Sequence, residues 1–190
     1  MDLALGVLLG LGLAAAAGLR VFVPLLIAGL AAHFGRIELV PGFHWLASMP
    51  ALVGLGLATA LEVAAYQIPW LDHLLDTIAT PLAAVSGTLI MAATLLDLEP
   101  ALRWPLSIIA GGGAATLVQS ATVGLRLFSS ATTGGLGNPA VAAGETGGSV
   151  GLGVLAIVVP LLAGILVLIL LCLGIYLLRR RLRGSGPSAS

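Results

Sequence analysis

Apolar residues run through this chain in long stretches with short polar punctuation, without the one-faced or alternating patterns of a soluble domain. A hydrocarbon core about 30 Å thick takes about 20 apolar helical residues to cross. Five stretches reach that length: 3–32, 47–68, 77–96, 104–123 and 151–178. The pattern predicts an all-α, polytopic membrane helix bundle of five spans over residues 1–178. A basic, disordered tail over 179–190 follows. Pro24 removes a backbone donor inside the first stretch; a break near Arg20–Pro24 raises the count to six. Thr80-Pro81 reads as a helix N-cap followed by proline at the first helical position.

Composition agrees. The chain is 59% hydrophobic and 8% charged, with a mean hydropathy of +1.14, against about 25% charged residues in a soluble domain. Net charge is zero, so nucleic acid is not an expected partner; the lipid bilayer is. Arg179, Arg180, Arg181 and Arg183 place the C-terminus in the cytoplasm by the positive-inside rule. Five spans then put Arg36 and Arg103 on the same side and the N-terminus outside, in the inner membrane of a bacterium. Trp45, Trp70 and Trp104 fall at span boundaries, as interfacial anchors do. A lone Cys172 forms no disulfide within the chain and reads as a small buried hydrophobe.

Arg20 stands alone in the first stretch, where a buried charge costs roughly 2.5–3.5 kcal/mol on insertion scales. Its setting, Gly18-Leu19-Arg20-Val21-Phe22, is echoed by Gly124-Leu125-Arg126-Leu127-Phe128. In five spans the two strings lie in antiparallel segments, which suggests an inverted-topology repeat. Glu62 is a second charge within a span and an expected partner for Arg126 or Arg20. Two arginines against one glutamate leave positive charge in excess, which suits an anionic or zwitterionic solute.

Residues 127–150 read as a long connection carrying Thr132, Thr133, Gly134, Gly135, Gly137 and Asn138. Such a loop, re-entrant or solute-facing, presents backbone N–H groups as an anion nest. Gly111-Gly112-Gly113 interrupts the fourth stretch, either for close packing or as a break. Glycine pairs at four-residue spacing, Gly6 with Gly10 and Gly147 with Gly151, suit helix contacts within the chain or in a homo-oligomer. Asp72 and Asp76, one helical turn apart and flanking His73, form a weak metal candidate. No metal or cofactor is expected. No hydrolase, metalloprotease or dinucleotide motif is present, so an enzyme is not expected.

The chain resembles an uncharacterised integral membrane family catalogued as domain of unknown function 4126. The resemblance rests on Gly18 to Pro24, on Glu62 with Ile68-Pro69 and Asp72, on Gly111 to Gly113, and on Thr132 to Pro139 followed by Glu145. It implies a membrane fold and no established activity. It also implies an Asp-Lys pair before Ile-Pro, where this chain has Tyr66-Gln67, and a His and a Lys before the second arginine, where Gln119 and Thr122 stand. The leading expectation is a small channel or transporter-like protein with Arg20, Arg126 and Glu62 lining a polar cavity. The alternative is a non-transporting scaffold or accessory subunit held by intramembrane salt bridges.

Overall fold

The computed structural model describes residues 2–68 and 72–184, and every regular element among them is helical. The helices are α1 (Leu3–Ala17), α2 (Phe22–His33), α3 (Met49–Ala65), α4 (Asp72–Thr94), α5 (Pro100–Leu106), α6 (Gly113–Thr133), α7 (Asn138–Val158) and α8 (Pro160–Gly184). A 3-10 segment, Pro41–Ala47, precedes α3, and a π-helical segment, Ser107–Gly112, joins α5 to α6. Three stretches, Leu75–Thr94, Pro100–Thr133 and Asn138–Val158, are long and apolar enough to cross a membrane. A fourth is Pro41–Ala47 with Met49–Ala65, bent by 63°. Leu3–Ala17, Phe22–His33 and Pro160–Gly174 are shorter apolar helices. These helices and their exposed Leu57, Leu61, Ile109, Phe128, Val158 and Ile169 mark a membrane protein.

The first apolar stretch does break, at Gly18–Val21, and it folds back on itself. Gly12 of α1 lies against Ala156, and Ile27 of α2 against Gly153, so both limbs run along the same part of α7. Pro24 falls in the first turn of α2, where its missing N–H leaves no helical bond unmade. The break itself comes at Gly18, where an added Cβ would collide with the Ala115 carbonyl. Helix α1 reaches its partners through small residues: an added Cβ on Gly12 would lie 2.8 Å from that of Ala156. Gly10 packs on Met91 and Thr94, so its small side serves contact within the chain, whereas Gly147 and Gly151 face open space.

Contacts fix the direction of every long helix. Gly29 touches Leu52 while Val21 meets Glu62, so α3 runs antiparallel to α2. Gly10 meets Met91 while Ser86 bonds to Val21, so α4 runs antiparallel to α1. Gly111 lies on Gly87, with an added Cβ on Gly87 2.6 Å from the Gly111 carbonyl. That glycine pair lets α4 and the π segment cross closely, so the Gly111–Gly113 run serves both packing and a helix irregularity. Helix α8 starts beside Leu8 and Gly12 and climbs past Leu11 and Ala15 at Val167.

Several expectations are corrected. Residues 127–150 form no loop: α6 continues to Thr133 and α7 starts at Asn138. The fifth stretch is divided at Val159, which has φ −138° and precedes Pro160. Pro81 lies inside α4, and Thr80 bonds back to Asp76 instead of capping a helix. Cys172 is exposed. Helix α8 extends to Gly184, so the first part of the expected disordered tail is helical. Because α7 runs back alongside α1 and α8 returns past it, Arg36 and Arg103 lie at the end of the bundle that holds the N-terminus, and Arg179 and Arg180 at the other. Trp70 and residues 185–190 lie outside the described residues.

Candidate functional site: a buried arginine–carboxylate cluster

The two arginines singled out by their repeated setting come together. Arg20 occupies the tip of the α1–α2 hairpin and Arg126 a helical position in α6; both are almost fully buried, at 2% and 1% exposure. They converge on one carboxylate oxygen, Glu145 Oε2 of α7, with Arg20 Nη1 at 3.2 Å and Arg126 Nη2 in direct contact. Arg126 Nη1 also pairs with Asp76 of α4. Arg20 donates from Nε to Thr146 Oγ1 at 2.9 Å and from Nη2 to the Ala142 carbonyl at 2.8 Å. Both guanidinium groups lie over the Tyr66 ring, each 4.2 Å from its centroid, a cation–π geometry. The Tyr66 hydroxyl donates to Asp76 at 3.2 Å.

Helical spacing assembles this set. On α7 the residues Asn138, Ala142, Glu145, Ser149, Gly153 and Ala156 are buried along one face at steps of three and four. Ser149 donates to the Ala16 carbonyl at 2.9 Å, fixing that face on the end of α1. Glu145 lies about two turns, roughly 10 Å, inside the start of α7.

Glu62 does not pair directly with either arginine. Its carboxylate accepts the N–H groups of Val21 and Phe22, at 2.7 and 3.1 Å, which the hairpin break leaves without helical partners. It therefore caps α2 and meets the positive end of that helix. The charge count also changes. Among the described residues, Arg20 and Arg126 stand against three carboxylates, Glu62, Asp76 and Glu145, so these five groups carry an excess of negative charge when all are ionised.

The glycine-rich string forms the corner between α6 and α7. Gly134 and Gly135 have φ of +64° and +90°, the left-handed conformation that ends α6. Thr132 and Thr133 are exposed and bond back to α6 carbonyls, and Gly137 N–H donates to Thr133 Oγ1 at 2.9 Å. Asn138 is buried and donates to Ser130 Oγ at 2.9 Å. The hydrogen bonds of Thr132, Thr133 and Gly137 among the described residues stay within this corner. Their local bonds explain why the segment is a tight corner and not an open nest.

Asp76, weighed only as a metal ligand, belongs to the cluster. The side chains of Asp72 and His73 lie outside the described residues. Among the described residues no group of three or more His, Cys, Asp or Glu side chains is placed to hold a metal ion. Sequence reasoning missed Tyr66, Thr146 and the central role of Glu145. The α7 stripe was readable as a helical period, but a presumed loop masked it. Tyr66 carried no signal of its own.

No curated protein and no solved structure matches the chain. The family model described as Domain of unknown function (DUF4126) matches residues 7–180, with the hairpin, the cluster and the α6–α7 corner all inside that range, and the chain belongs to this family.

Proposed function

We propose that the protein is a small membrane carrier for an anionic or zwitterionic solute, with Arg20 and Arg126 as its anion-binding groups. One observation carries this reading: two buried guanidinium groups from different helices meet on a single carboxylate oxygen. Planar guanidinium forks suit carboxylate and phosphate oxygens, so this geometry is what an oxyanion requires. The cluster is closed, which favours a carrier over an open channel. In this reading α3, α4, α5–α6, α7 and α8 make five crossings, and α1–α2 is a re-entrant hairpin with both ends on one side. Irregular backbone at membrane depth is tolerated where protein buries it, as at Gly18–Val21. In this reading the C-terminus faces the cytoplasm of a bacterial cell, as the tail arginines favour, and the N-terminus lies outside together with Arg36 and Arg103. Both repeated strings meet at Glu145, but α1 and α6, which lead into them, run in the same direction, so the meeting lends no support to an inverted repeat.

Flux of a panel of labelled organic and inorganic anions into proteoliposomes tests the proposal. Wild type moves at least one of them, and Arg20→Gln, folded by circular dichroism, loses that flux. Equal flux in both overturns the assignment.

A non-transporting scaffold is favoured by one fact: both terminal nitrogens of Arg126 are already paired. A double-mutant cycle between Arg126 and Glu145, read as unfolding stability, with no flux of any anion, supports that alternative.

A further inference from the structure

We infer that Glu145 is a built-in anion occupying the solute site, and that a solute carboxylate or phosphate displaces it only when a proton from solvent neutralises it. The inference rests on the carrier reading above. The Oε2 atom of Glu145 already holds the position between the two guanidiniums that an entering oxyanion would need. Two atoms of the same cluster stand unpartnered. Among the described residues, Glu145 Oε1 accepts no hydrogen bond and Arg126 Nε donates none, although the two residues are only 5% and 1% exposed. Buried polar atoms are nearly always paired, so such orphans mark a position that something else fills in another state. Oε1 is the atom that takes the proton, and Nε is a donor left over for a second oxygen of the solute.

Charge supports the exchange. Among the described residues, the charged groups acting on Glu145 are Arg20 from the hairpin tip, Arg126 from α6 and Asp76 from α4; Tyr66 lies under both arginines, and Glu62 stands beyond them on the Val21 N–H. Binding a monoanion without a proton would add a charge to a cluster that already has excess negative charge, at low dielectric. Taking up one proton on Oε1 together with one monoanion leaves the total unchanged. The proton forms an O–H bond on Glu145, its ion pairs to both arginines lapse, and the solute oxygens replace them.

Uptake of labelled lactate and labelled inorganic phosphate into proteoliposomes, with and without an inward acid gradient, tests this against protein-free vesicles. A pH dye inside the vesicles records protons. In the wild type, uptake of at least one probe rises with acidification by up to about tenfold per pH unit, the limit for one linked proton, and protons enter with the solute. Glu145→Gln mimics the neutral form: probe binding becomes independent of pH, exchange persists, and gradient-driven accumulation is lost. Glu145→Asp keeps the acid response. Uptake by the wild type with no pH response and no proton entry overturns the inference and leaves the carrier reading standing. An unchanged gradient response in Glu145→Gln does the same. If that variant does not fold, proton entry in the wild type decides alone. A wild type that neither moves either probe nor shows a thermal shift with it at any pH overturns both readings.

Discussion

The same five-residue pattern occurs twice in this molecule and takes two different shapes. At Gly18-Leu19-Arg20-Val21-Phe22 the helix stops and the chain reverses; at Gly124-Leu125-Arg126-Leu127-Phe128 it runs on undisturbed within α6. Local propensity is nearly identical in the two places, so surroundings decide. At the first, the Ala115 carbonyl presses on Gly18 and the Glu62 carboxylate waits for the freed N–H groups of Val21 and Phe22. At the second, nothing lies within 4 Å of where a Gly124 Cβ would be. A break in a helix at membrane depth needs a polar group that replaces the lost bonds, and only the first string has one. The arginines nonetheless reach the same oxygen.

This comparison can be broken or sharpened by substitution, with unfolding in detergent as the measurement. The largest effect is expected from Glu145→Leu, which removes the partner common to both strings. Stranding buried charges costs about 3–5 kcal/mol, and a loss below about 1 kcal/mol would show that the strings are not joined through this residue. Next comes Gly18→Ala, where the added methyl meets a backbone carbonyl that cannot move aside easily; overpacking of this kind costs about 1–3 kcal/mol. Glu62→Ala should cost about 0.5–2 kcal/mol, the range for losing a helix N-cap, and should raise amide hydrogen exchange at Val21 and Phe22 specifically. Protection unchanged there would mean that the hairpin holds without its cap. Gly124→Ala is the smallest and has the opposite sign. In an open helical position alanine gains about 0.5–1 kcal/mol, so destabilisation would show that the second string is under hidden constraint.

Much of the architecture was legible in the pattern of residues. Apolar length gave the membrane helices, the cost of a lone charge pointed to Arg20, and the echo pointed to Arg126. Direction along the chain was harder to read. Residues 127–150 are rich in Gly, Ser and Thr, which usually signals a loop; here the hydroxyls bond back to carbonyls of their own helices, as Thr132 and Thr146 do, and the helices persist. Missing α7 hid Glu145 and reversed the apparent charge excess. Glu62 was singled out as a charge within an apolar stretch but assigned the wrong partner, because the donors it serves are backbone N–H groups that no side-chain pattern displays. Tyr66 was beyond reach: an aromatic ring under two cations depends on the end of α3 meeting the distant hairpin tip and α6.

One carboxylate oxygen answering to two arginines also binds the history of three positions together. A change at residue 20, 126 or 145 alone strands a charge inside the bundle, so lineages should rarely cross that valley one step at a time. Leu19 and Leu125, next door to the arginines but half-buried and exposed, carry no such debt and should drift among apolar residues freely.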